Sequence, residues 1–349
     1  MNKTYILIDA YNMFYRAMYG VQNTEKDLKN NMLLHTMFYM IKKACDKFQP
    51  NHLIVAMDGN GTWRKSLYPL YKANRQDRFQ DMTPAEVETY ESLKNTFEND
   101  FIPFLTEKTN ISVIGCKDAE ADDIVSRFVA LHPNDLNVII SSDNDYVQLL
   151  SDNVLIYNTM DDRLITKEGI VGEKNKLLKF TLKDGKITVS KTDPFVGKND
   201  SAIPMKDWID YALFMKCVRG DKSDNIFSAY PRVREKSTTK TVGITEAFED
   251  RITKGYNWQS FMNSTWKTPL GETKVVKECY ELNKKIIDLN EIPESIKIDI
   301  DQHIKEVLNR EPIKNVPMYL VRYLQEHQLI RLGEIIGSFS QYFINDYKK

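Results

Sequence analysis

The sequence predicts an α/β fold, with a mostly parallel central sheet covered by helices on both faces and a mainly helical C-terminal region. In the first 160 residues, short apolar segments alternate with helical patterns, whereas from Pro204 onward the pattern is helical with short connections. Strands buried on both faces read as continuous apolar runs, which is typical of parallel sheets flanked by helices. We therefore expect an N-terminal α/β domain over residues 1–160, an insertion over 161–205 and a helical domain over 206–349.

Five strands are predicted in the N-terminal domain, over residues 5–8, 53–57, 111–114, 138–141 and 154–157. Apolar residues at helical spacing predict helices over residues 28–48, 84–105 and 121–131, and the first turn of another over 146–150. Thr83 precedes Pro84, and this pair is typical of a helix start, so the second of these helices is expected to begin there.

The insertion carries one local structural signal. Residues 177–190 alternate in polarity around Asp184 and Gly185, which predicts a β-hairpin. Residues 190–205 are polar and contain proline and glycine, so they predict a loop. The sequence assigns no function to this insertion.

Composition excludes several classes of protein. The chain has 349 residues, a formal net charge of −1 and 28% charged residues, which is typical of a globular protein. No apolar run approaches the ~18 residues of a membrane span, and the first apolar run is too short for a secretory signal. The four cysteines are scattered with no C-x-x-C pair, so we expect reduced cysteines in a cytoplasmic protein without a membrane partner.

Carboxylates follow four successive predicted strands. Parallel strands end at one edge of a sheet, and this is where open α/β sheets bind ligands. The residues in question are Asp9, Asp58, Glu120, Asp122, Asp123, Asp143 and Asp145. Each acid alone has a simpler explanation as a turn residue or helix N-cap, but four such coincidences on one edge would leave strong repulsion. Oxygen-only ligands favour Mg²⁺, with Mn²⁺ as a substitute, and two such ions suit phosphodiester hydrolysis.

A second acidic motif lies in the helical region. The segment 220–225 reads GDKSDN, and the spacing of Asp221 and Asp224 places both carboxylates on one side of a helical turn. A simple turn without function is the alternative interpretation of this segment.

Basic and aromatic residues occur at three places. Lys72 and Arg75 are three residues apart and are expected to face one phosphate, while Tyr71 offers a ring for base stacking. Lys216 precedes the second acidic motif and adds a positive charge there. The connection from residue 72 to 108 is long, and long connections in compact domains are often functional or mobile. A basic stretch contains Arg232, Arg234, Lys236 and Lys240. This stretch is either a solvated loop or a surface that contacts duplex phosphates.

Six motifs in order make the sequence resemble the flap endonuclease and 5′–3′ exonuclease superfamily. They are LIDAYN (7–12), VAMDG (55–59), YKANR (71–75), KDAEADD (117–123), SSDNDY (141–146) and GDKSDN (220–225). Within the superfamily, the chain most resembles the type called ribonuclease H in T-even phages. The resemblance implies a PIN-like fold and a metal-dependent 5′ nuclease. Such an enzyme cuts DNA and RNA–DNA at 5′ ends or flaps and removes primers in phage replication.

The resemblance also implies roles for individual residues. Asp9, Asp58, Glu120, Asp122 and Asp123 would surround a first metal ion, and Asp143, Asp145, Asp221 and Asp224 a second. Lys72 and Arg75 would contact the scissile phosphate, Tyr71 would stack near the terminal base, and Lys216 would contact another phosphate. Residues 72–108 would form an arch over the 5′ strand, and residues 206–349 would bind DNA.

The sequence departs from the family pattern at one place, and alternative functions stay open. Where family members carry a glycine-rich helix–turn–helix after GDxSDN, residues 226–231 read IFSAYP, so duplex binding and a monovalent ion are not implied. A catalytically silent branched-DNA-binding protein and a PIN-type endoribonuclease are the alternative functions. We expect a monomer, in the host cytoplasm if the gene is phage-borne, with a single-strand-binding protein or sliding clamp as a partner. Neither the preference for RNA or DNA nor that for trimming or flap cleavage follows from the sequence.

Overall fold

The computed structural model describes the whole chain except residues 1, 76–81, 173–174, 193, 197–206, 232–233 and 349. Its contacts divide the chain into two compact units. Unit 1 comprises residues 1–63, 79–175 and 293–349, and unit 2 comprises residues 64–78 and 176–292. This division differs from the sequential domains expected from the sequence, because the last 57 residues return to unit 1 rather than joining the helices before them.

Unit 1 is built on a mostly parallel sheet. Its strands are β1 (Thr4–Asp9), β2 (His52–Met57), β3 (Ser112–Gly115), β4 (Leu136–Ile140), β5 (Val154–Asn158), β6 (Arg163–Thr166) and β7 (Gly169–Val171). They lie in the order β3-β2-β1-β4-β5-β6-β7, and the first five are parallel while β6 and β7 run antiparallel. The predicted fold class and the five predicted strands are confirmed. The two antiparallel strands were not predicted, since they are only four and three residues long and lack a continuous apolar run.

Helices cover this sheet. They are α1 (Ala10–Gly20), α2 (Lys29–Phe48), α4 (Pro84–Thr96), α5 (Ile102–Lys108), α6 (Ala121–Leu131), α11 (Glu294–Leu308), α12 (Val316–Glu326), α13 (Ile330–Glu334) and α14 (Gln341–Ile344). The core of unit 1 explains why the C-terminal helices belong to this unit. Phe38 of α2 packs against Phe101, Phe343 and Tyr323, so residues from both ends of the chain share one apolar cluster.

The helix predicted over residues 84–105 is present but interrupted. Thr83 caps α4 in a reciprocal capping box with Glu86, as the sequence predicted. The π-helical turn Phe97–Phe101 then separates α4 from α5. Pro103 lies in the first turn of α5, and because proline cannot donate the helical hydrogen bond, a local change of pitch there is expected.

The predicted arch over residues 72–108 stays a prediction, but the later half of that segment does not lie on the surface. Leu93, Phe97, Phe101 and Phe104 are buried in the core of unit 1, so the later half of that segment is a core helix. Residues 76–81 lie outside the described part of the chain. A surface arch is therefore restricted to residues before Leu93.

Unit 2 is mainly helical, with two small hairpins. Its helices are α3 (Arg64–Leu67), α7 (Trp208–Arg219), α8 (Ile244–Glu249), α9 (Tyr256–Met262) and α10 (Val276–Ile287). Strand β8 (Leu177–Leu178) precedes the hairpin of β9 (Phe180–Lys183) and β10 (Lys186–Val189), which confirms the hairpin predicted there. Asp184 and Gly185 both have positive φ angles, +50° and +77°, as a tight two-residue turn of this kind requires.

A second hairpin in unit 2 adds two short strands to the region after residue 204, where the sequence predicts a mainly helical pattern. It pairs β11 (Thr265–Lys267) with β12 (Thr273–Val275). The Trp266 indole donates a hydrogen bond to the Ala229 carbonyl at 2.7 Å, a contact too distant in sequence for a local pattern to reveal. Three-residue strands are too short to show alternation.

Candidate active site

The carboxyl ends of β1 to β4 form an acidic edge in unit 1. Asp9 ends β1, Asp58 follows β2, Glu120 to Asp123 follow β3, and Asp143 and Asp145 follow β4. The parallel register pairs Asp9 with Ala56 of β2 and Ile8 with Ile140 of β4. Since neighbouring strands lie about 4.8 Å apart, this register brings the acids to the same edge. The predicted convergence of unit 1 acids is thus reproduced by the strand order.

Asp9 and Asp58 each hold a neighbouring element. One Asp9 oxygen accepts a hydrogen bond from the Asn12 backbone at 3.0 Å and caps α1, and the other accepts from the Tyr146 hydroxyl at 3.0 Å. Asp58 accepts a hydrogen bond from the Ala121 backbone N–H at 2.8 Å, which ties the end of β2 to the start of α6. The two carboxylates are thereby fixed in direction by backbone groups.

Glu120, Asp122 and Asp123 start α6 and have different environments. Glu120 is the N-cap and forms a reciprocal capping box with Asp123. Asp123 is fully buried, and its Oδ2 accepts hydrogen bonds from the Trp63 indole at 3.0 Å and the Glu120 backbone at 3.0 Å. Asp122 is half-buried and accepts from the Asp123 backbone at 2.8 Å. Asp123 therefore has a structural role that the sequence did not reveal.

Asp143 and Asp145 lie at the start of a short 3₁₀ helix, Asn144–Leu149. The predicted helical turn is present, although its hydrogen bonds are of the tighter 3₁₀ type. Asp143 is exposed and caps this turn by accepting a hydrogen bond from the Asp145 backbone at 3.0 Å. The Asp143 side chain is therefore accessible from solvent.

The buried Tyr146 reports the electrostatics of the acidic edge. Burial raises the pKa of its hydroxyl well above the ordinary value, and the charges of Asp9, Asp122 and Asp143 raise it further. Three carboxylates from three different strand ends thus act on one hydroxyl. Such crowding fits a cation of oxygen-seeking type, because the donor set contains neither sulfur nor nitrogen. Tyr146 was not singled out by the sequence, although it ends the SSDNDY motif.

The second acidic motif lies in unit 2, and its geometry corrects the expected helical turn. Asp221 and Ile226 form an isolated antiparallel bridge, with hydrogen bonds of 2.7 and 2.9 Å that close the intervening residues into a turn. Gly220 ends α7 with φ of +72°, and a Cβ there would lie 2.3 Å from the Ile226 carbonyl oxygen. The close backbone approach at this glycine ends the helix, so Asp221 and Asp224 do not share a helical face.

Asp221 is buried between two lysines of unit 2. Its carboxylate lies 3.0 Å from Lys216 Nζ and 3.8 Å from Lys186 Nζ, and Ser223 donates a hydrogen bond to it. Burial acts to raise the pKa of Asp221, but the Lys216 charge and the hydrogen bonds outweigh it and lower the pKa to about 2. Lys216 itself is buried, so its ammonium group faces Asp221 rather than open solvent.

The Asp224 carboxylate contacts the residues that were predicted to bind the scissile phosphate and to stack on the terminal base. Arg75 lies 2.7 Å and Lys72 3.9 Å from this carboxylate, and the Tyr71 hydroxyl donates to it at 3.2 Å. We call these four residues the Asp224 cluster. Lys72 has φ of +56°, and its backbone N–H donates to the Asp224 carbonyl at 2.9 Å. Tyr71 is only 3% exposed and packs in the core of unit 2, so its ring does not present a stacking surface here.

The hairpin of the insertion supplies a residue that the sequence did not assign. Lys186 begins β10 and reaches Asp221, while Asp184 of the turn forms an ion pair with Arg219 at 3.1 Å. A Cβ on Gly185 would lie 2.9 Å from the Ala212 carbonyl and 3.0 Å from Lys216 Cβ, so the turn packs tightly on α7. The Asp184 and Gly185 signal predicted the turn, but only the folded structure shows its docking.

The predicted basic stretch is partly described. Arg234, Lys236 and Lys240 are exposed, whereas Arg232 lies outside the described residues. Nothing in their exposure distinguishes a phosphate-binding surface from a solvated loop, so the two interpretations stay open.

Comparison with known proteins identifies the family of the N-terminal half of the chain. A family model described as the N-terminal resolvase-like domain of 5′–3′ exonucleases matches residues 4–176. Over these residues, the chain belongs to the 5′–3′ exonuclease family. The match covers all seven acids of the acidic edge as well as the Asp224 cluster residues Tyr71, Lys72 and Arg75.

Curated relatives agree with this family. The chain is 26% identical over 185 residues to flap endonuclease Xni of Pseudoalteromonas translucida, with 50% of this chain and 66% of the relative aligned. It is 24% identical over 299 residues to a 5′–3′ exonuclease of Aquifex aeolicus, with 82% and 83% aligned. It is also 31% identical over 183 residues to DNA polymerase I of Borreliella burgdorferi. That alignment covers 48% of this chain and only 18% of the polymerase. The chain thus spans less than two thirds of several relatives.

Solved structures support the fold. The chain resembles a bacteriophage T5 flap endonuclease solved with DNA and metal ions, with a TM-score of 0.59 at 19% identity, over 88% of this chain and 98% of that one. It also resembles the zinc-bound T5 5′-exonuclease, with a TM-score of 0.57 at 18% identity and the same coverage. The finer resemblance to the T-even ribonuclease H type stays a prediction. Within the part of the chain that the structure describes, no helix is long and apolar enough to cross a bilayer.

Proposed function

We propose that this chain is a divalent-metal-dependent 5′ nuclease that hydrolyses phosphodiesters at 5′ ends or flaps of DNA and RNA–DNA duplexes. The observation that carries the proposal is the acidic edge, where four parallel strands of a 5′–3′ exonuclease domain end in carboxylates. The proposal is supported by the charges of Asp9, Asp122 and Asp143, which all raise the pKa of the Tyr146 hydroxyl. Primer removal in phage replication is the setting that the sequence resemblance suggests.

The donor chemistry of the acidic edge fits Mg²⁺, with Mn²⁺ as a substitute, and two ions are proposed. Asp9, Asp58, Glu120, Asp122 and Asp143 are the side chains of unit 1 that would hold them, with Asp145 next to Asp143. When bound, such ions activate water and stabilise the leaving oxygen. Asp123 contributes through Glu120, because its hydrogen bonds fix the start of α6, and it is a positioning residue in this proposal.

In unit 2, the cations of the Asp224 cluster are the proposed phosphate contacts. Lys72 and Arg75 are held by Asp224 in the structure described here, and a phosphate group would compete with that carboxylate for them. The Lys72 backbone N–H donates a hydrogen bond to the Asp224 backbone carbonyl, and this bond holds the Lys72 backbone in place whichever anion the ammonium group binds. The exposed Arg234, Lys236 and Lys240 would contact duplex phosphates.

The test is cleavage of a flap duplex labelled at its 5′ end by the purified full chain, with Mg²⁺ and with EDTA. Release of short labelled products with Mg²⁺ but not with EDTA supports the proposal. The length of the products shows whether the enzyme removes nucleotides from the 5′ end or cuts off the whole flap. The matched variant is Asp143→Asn, because asparagine keeps the oxygen that caps the Asp145 backbone while removing the charge. We expect this variant to bind the flap with unchanged affinity and to cleave it at least about a hundredfold more slowly.

Two outcomes would contradict the proposal. Tight flap binding without cleavage in Mg²⁺ or Mn²⁺ would indicate the silent branched-DNA-binding alternative. Cleavage of single-stranded RNA without dependence on a 5′ end would indicate the endoribonuclease alternative. Light scattering of the same sample tests the expected monomer, and added single-strand-binding protein or sliding clamp tests the expected partners.

A further inference from the structure

Three side chains of unit 1 that do not belong to the acidic edge lie close together and carry different donor atoms. Cys116 directly follows β3, and Asp299 and His303 lie one turn apart on α11. The Cys116 thiol lies 2.8 Å from Asp299 Oδ2, and His303 Nδ1 lies 3.6 Å from Asp299 Oδ1. One sulfur, one oxygen and one nitrogen donor from these residues all lie within 4.8 Å of one another.

We propose that Cys116, Asp299 and His303 form a binding site for one Zn²⁺ ion, with a fourth position open to water. Sulfur, imidazole and carboxylate together are a donor set that zinc accepts, whereas Mg²⁺ prefers oxygen alone. Zinc bonds of about 2.0–2.3 Å at tetrahedral angles separate ligand atoms by roughly 3.3–3.8 Å. The observed spacings bracket that range, so side-chain rotations alone bring the three donors to an ion.

The surroundings of these residues fit a ligand that enters from solvent. The side chains of Asp299 and His303 are 48% and 41% exposed, whereas Cys116 is almost fully buried behind them. His303 Nδ1 also lies 2.8 Å from the Asp299 carbonyl oxygen, so the imidazole ring must rotate away from that carbonyl before this nitrogen binds an ion. When the thiol binds the ion, its proton leaves to solvent and Asp299 loses that hydrogen bond.

Within the described ranges of the chain, no fourth cysteine, histidine or carboxylate joins these three residues. Asp301, two residues further along α11, forms a two-point ion pair with Arg127 at 2.8 and 2.6 Å. This pairing holds Asp301 on α6 and keeps its carboxylate out of the proposed site. The fourth ligand is therefore water, as in zinc sites with three protein ligands.

The site is connected to the acidic edge through the backbone. The Cys116 carbonyl accepts a hydrogen bond from Ala119, and the Ala119 carbonyl accepts one from Gly59 at 2.9 Å. Gly59 follows Asp58, and Glu120 follows Ala119, so an ion at Cys116 would fix the loop that delivers both carboxylates. A Cβ on Gly59 would lie 2.0 Å from the Cys116 carbonyl oxygen, which shows how close these two loops are.

The experiment uses Co²⁺ as a spectroscopic substitute for zinc on the full chain, in a large excess of Mg²⁺ that occupies oxygen-only sites. Thiolate ligation gives a ligand-to-metal charge-transfer band in the near ultraviolet, and carboxylates give none. We expect this band to saturate at one equivalent of Co²⁺ and to disappear on addition of Zn²⁺. Cys116→Ser should abolish the band, whereas Cys279→Ser, the control at a partly exposed cysteine, should keep it.

A second variant protects the test from a folding defect at the buried Cys116. His303→Ala changes a half-exposed side chain and should weaken Co²⁺ binding about tenfold or more, while its circular dichroism stays that of the parent. Absence of the charge-transfer band in the parent protein would overturn the proposal. Persistence of the band in Cys116→Ser, or unchanged affinity in His303→Ala, would also overturn it. None of these readouts depends on nuclease activity.

Discussion

Replacement of Asp123 by alanine is the sharpest test of how the acidic edge is built. Asp123 is the most buried of the acids, and its Oδ2 accepts hydrogen bonds from the Trp63 indole and the Glu120 backbone. Alanine would leave two donors buried without an acceptor. We therefore expect Asp123→Ala to destabilise unit 1, in addition to any effect on cleavage.

The size of this effect follows from the hydrogen bonds. A buried donor that loses its acceptor costs roughly 1–3 kcal/mol, so two such donors cost about 2–6 kcal/mol. Relief of repulsion from the neighbouring carboxylates offsets part of this loss, which leaves about 2–5 kcal/mol. For a unit of this size each kcal/mol lowers Tm by about 2–4 °C, so we expect a fall of roughly 5–15 °C.

Trp63 gives a local assay. It is the one tryptophan of unit 1, since the other three, Trp208, Trp258 and Trp266, belong to unit 2. Labelling with 5-fluorotryptophan and ¹⁹F NMR therefore follows the unfolding of unit 1 separately from that of unit 2. The resonance of Trp63, assigned with Trp63→Phe, should also shift in folded Asp123→Ala because its hydrogen bond is lost.

Asp122→Ala is the matched control. Asp122 is adjacent in sequence and half-buried, and it accepts a hydrogen bond from the Asp123 backbone. Its removal lowers the repulsion at the acidic edge, so we expect a change in unfolding free energy within about 1 kcal/mol and a large loss of cleavage. If Asp123→Ala and Asp122→Ala unfold at the same urea concentration, the structural role assigned to Asp123 is wrong.

Three further predictions concern single residues. Lys72→Ala should lower single-turnover cleavage by about 10²–10³-fold, because one cation at the phosphate is lost; a near-normal rate would remove that role. Asp221→Asn should destabilise unit 2 by about 3–5 kcal/mol in urea titrations, because Lys216 keeps a buried charge without its partner. The pKa of Asp221 is lowered to about 2, so its stabilisation of about 2 kcal/mol is complete above pH 4 and is lost between pH 4 and 2; Asp221→Asn should lack this acid transition. Burial lowers the pKa of His52 to about 4, so protonation favours the unfolded chain as pH falls from 6.5 to 4. Stability should drop by about 3 kcal/mol over that range, and an equal drop in His52→Asn would contradict this cause.

The sequence predicted the centre of unit 1 well because two signals coincided there. Continuous apolar runs predicted β1 to β5, and the carboxylates that follow each of the first four strands predicted the acidic edge. The prediction was weakest where structure depends on contacts distant in sequence. Residues 293–349 carry ordinary amphipathic helices, and nothing local shows that Phe343 packs on Phe38.

The second acidic motif shows the same limit at smaller scale. The spacing of Asp221 and Asp224 is compatible with a helix, but the close approach of Ile226 to Gly220 forces a turn instead. The ion pair from Lys186 to Asp221 depends on the docking of the insertion hairpin against α7. Its residues are 35 positions apart in sequence, and no periodicity connects them.

At the acidic edge, the structural and chemical explanations of each carboxylate are compatible rather than competing. Asp9, Glu120 and Asp143 each cap the element that follows their strand. A carboxylate has two oxygens and about four lone-pair positions, and a cap uses one of them. The backbone N–H groups that satisfy the cap also fix the direction of the side chain, which a metal ligand requires before the ion arrives. A capping amide such as Asn would preserve the fold but lose the charge. For this reason Asp143→Asn separates the two roles, and we expect it to keep the stability of unit 1 while losing the metal-dependent reaction.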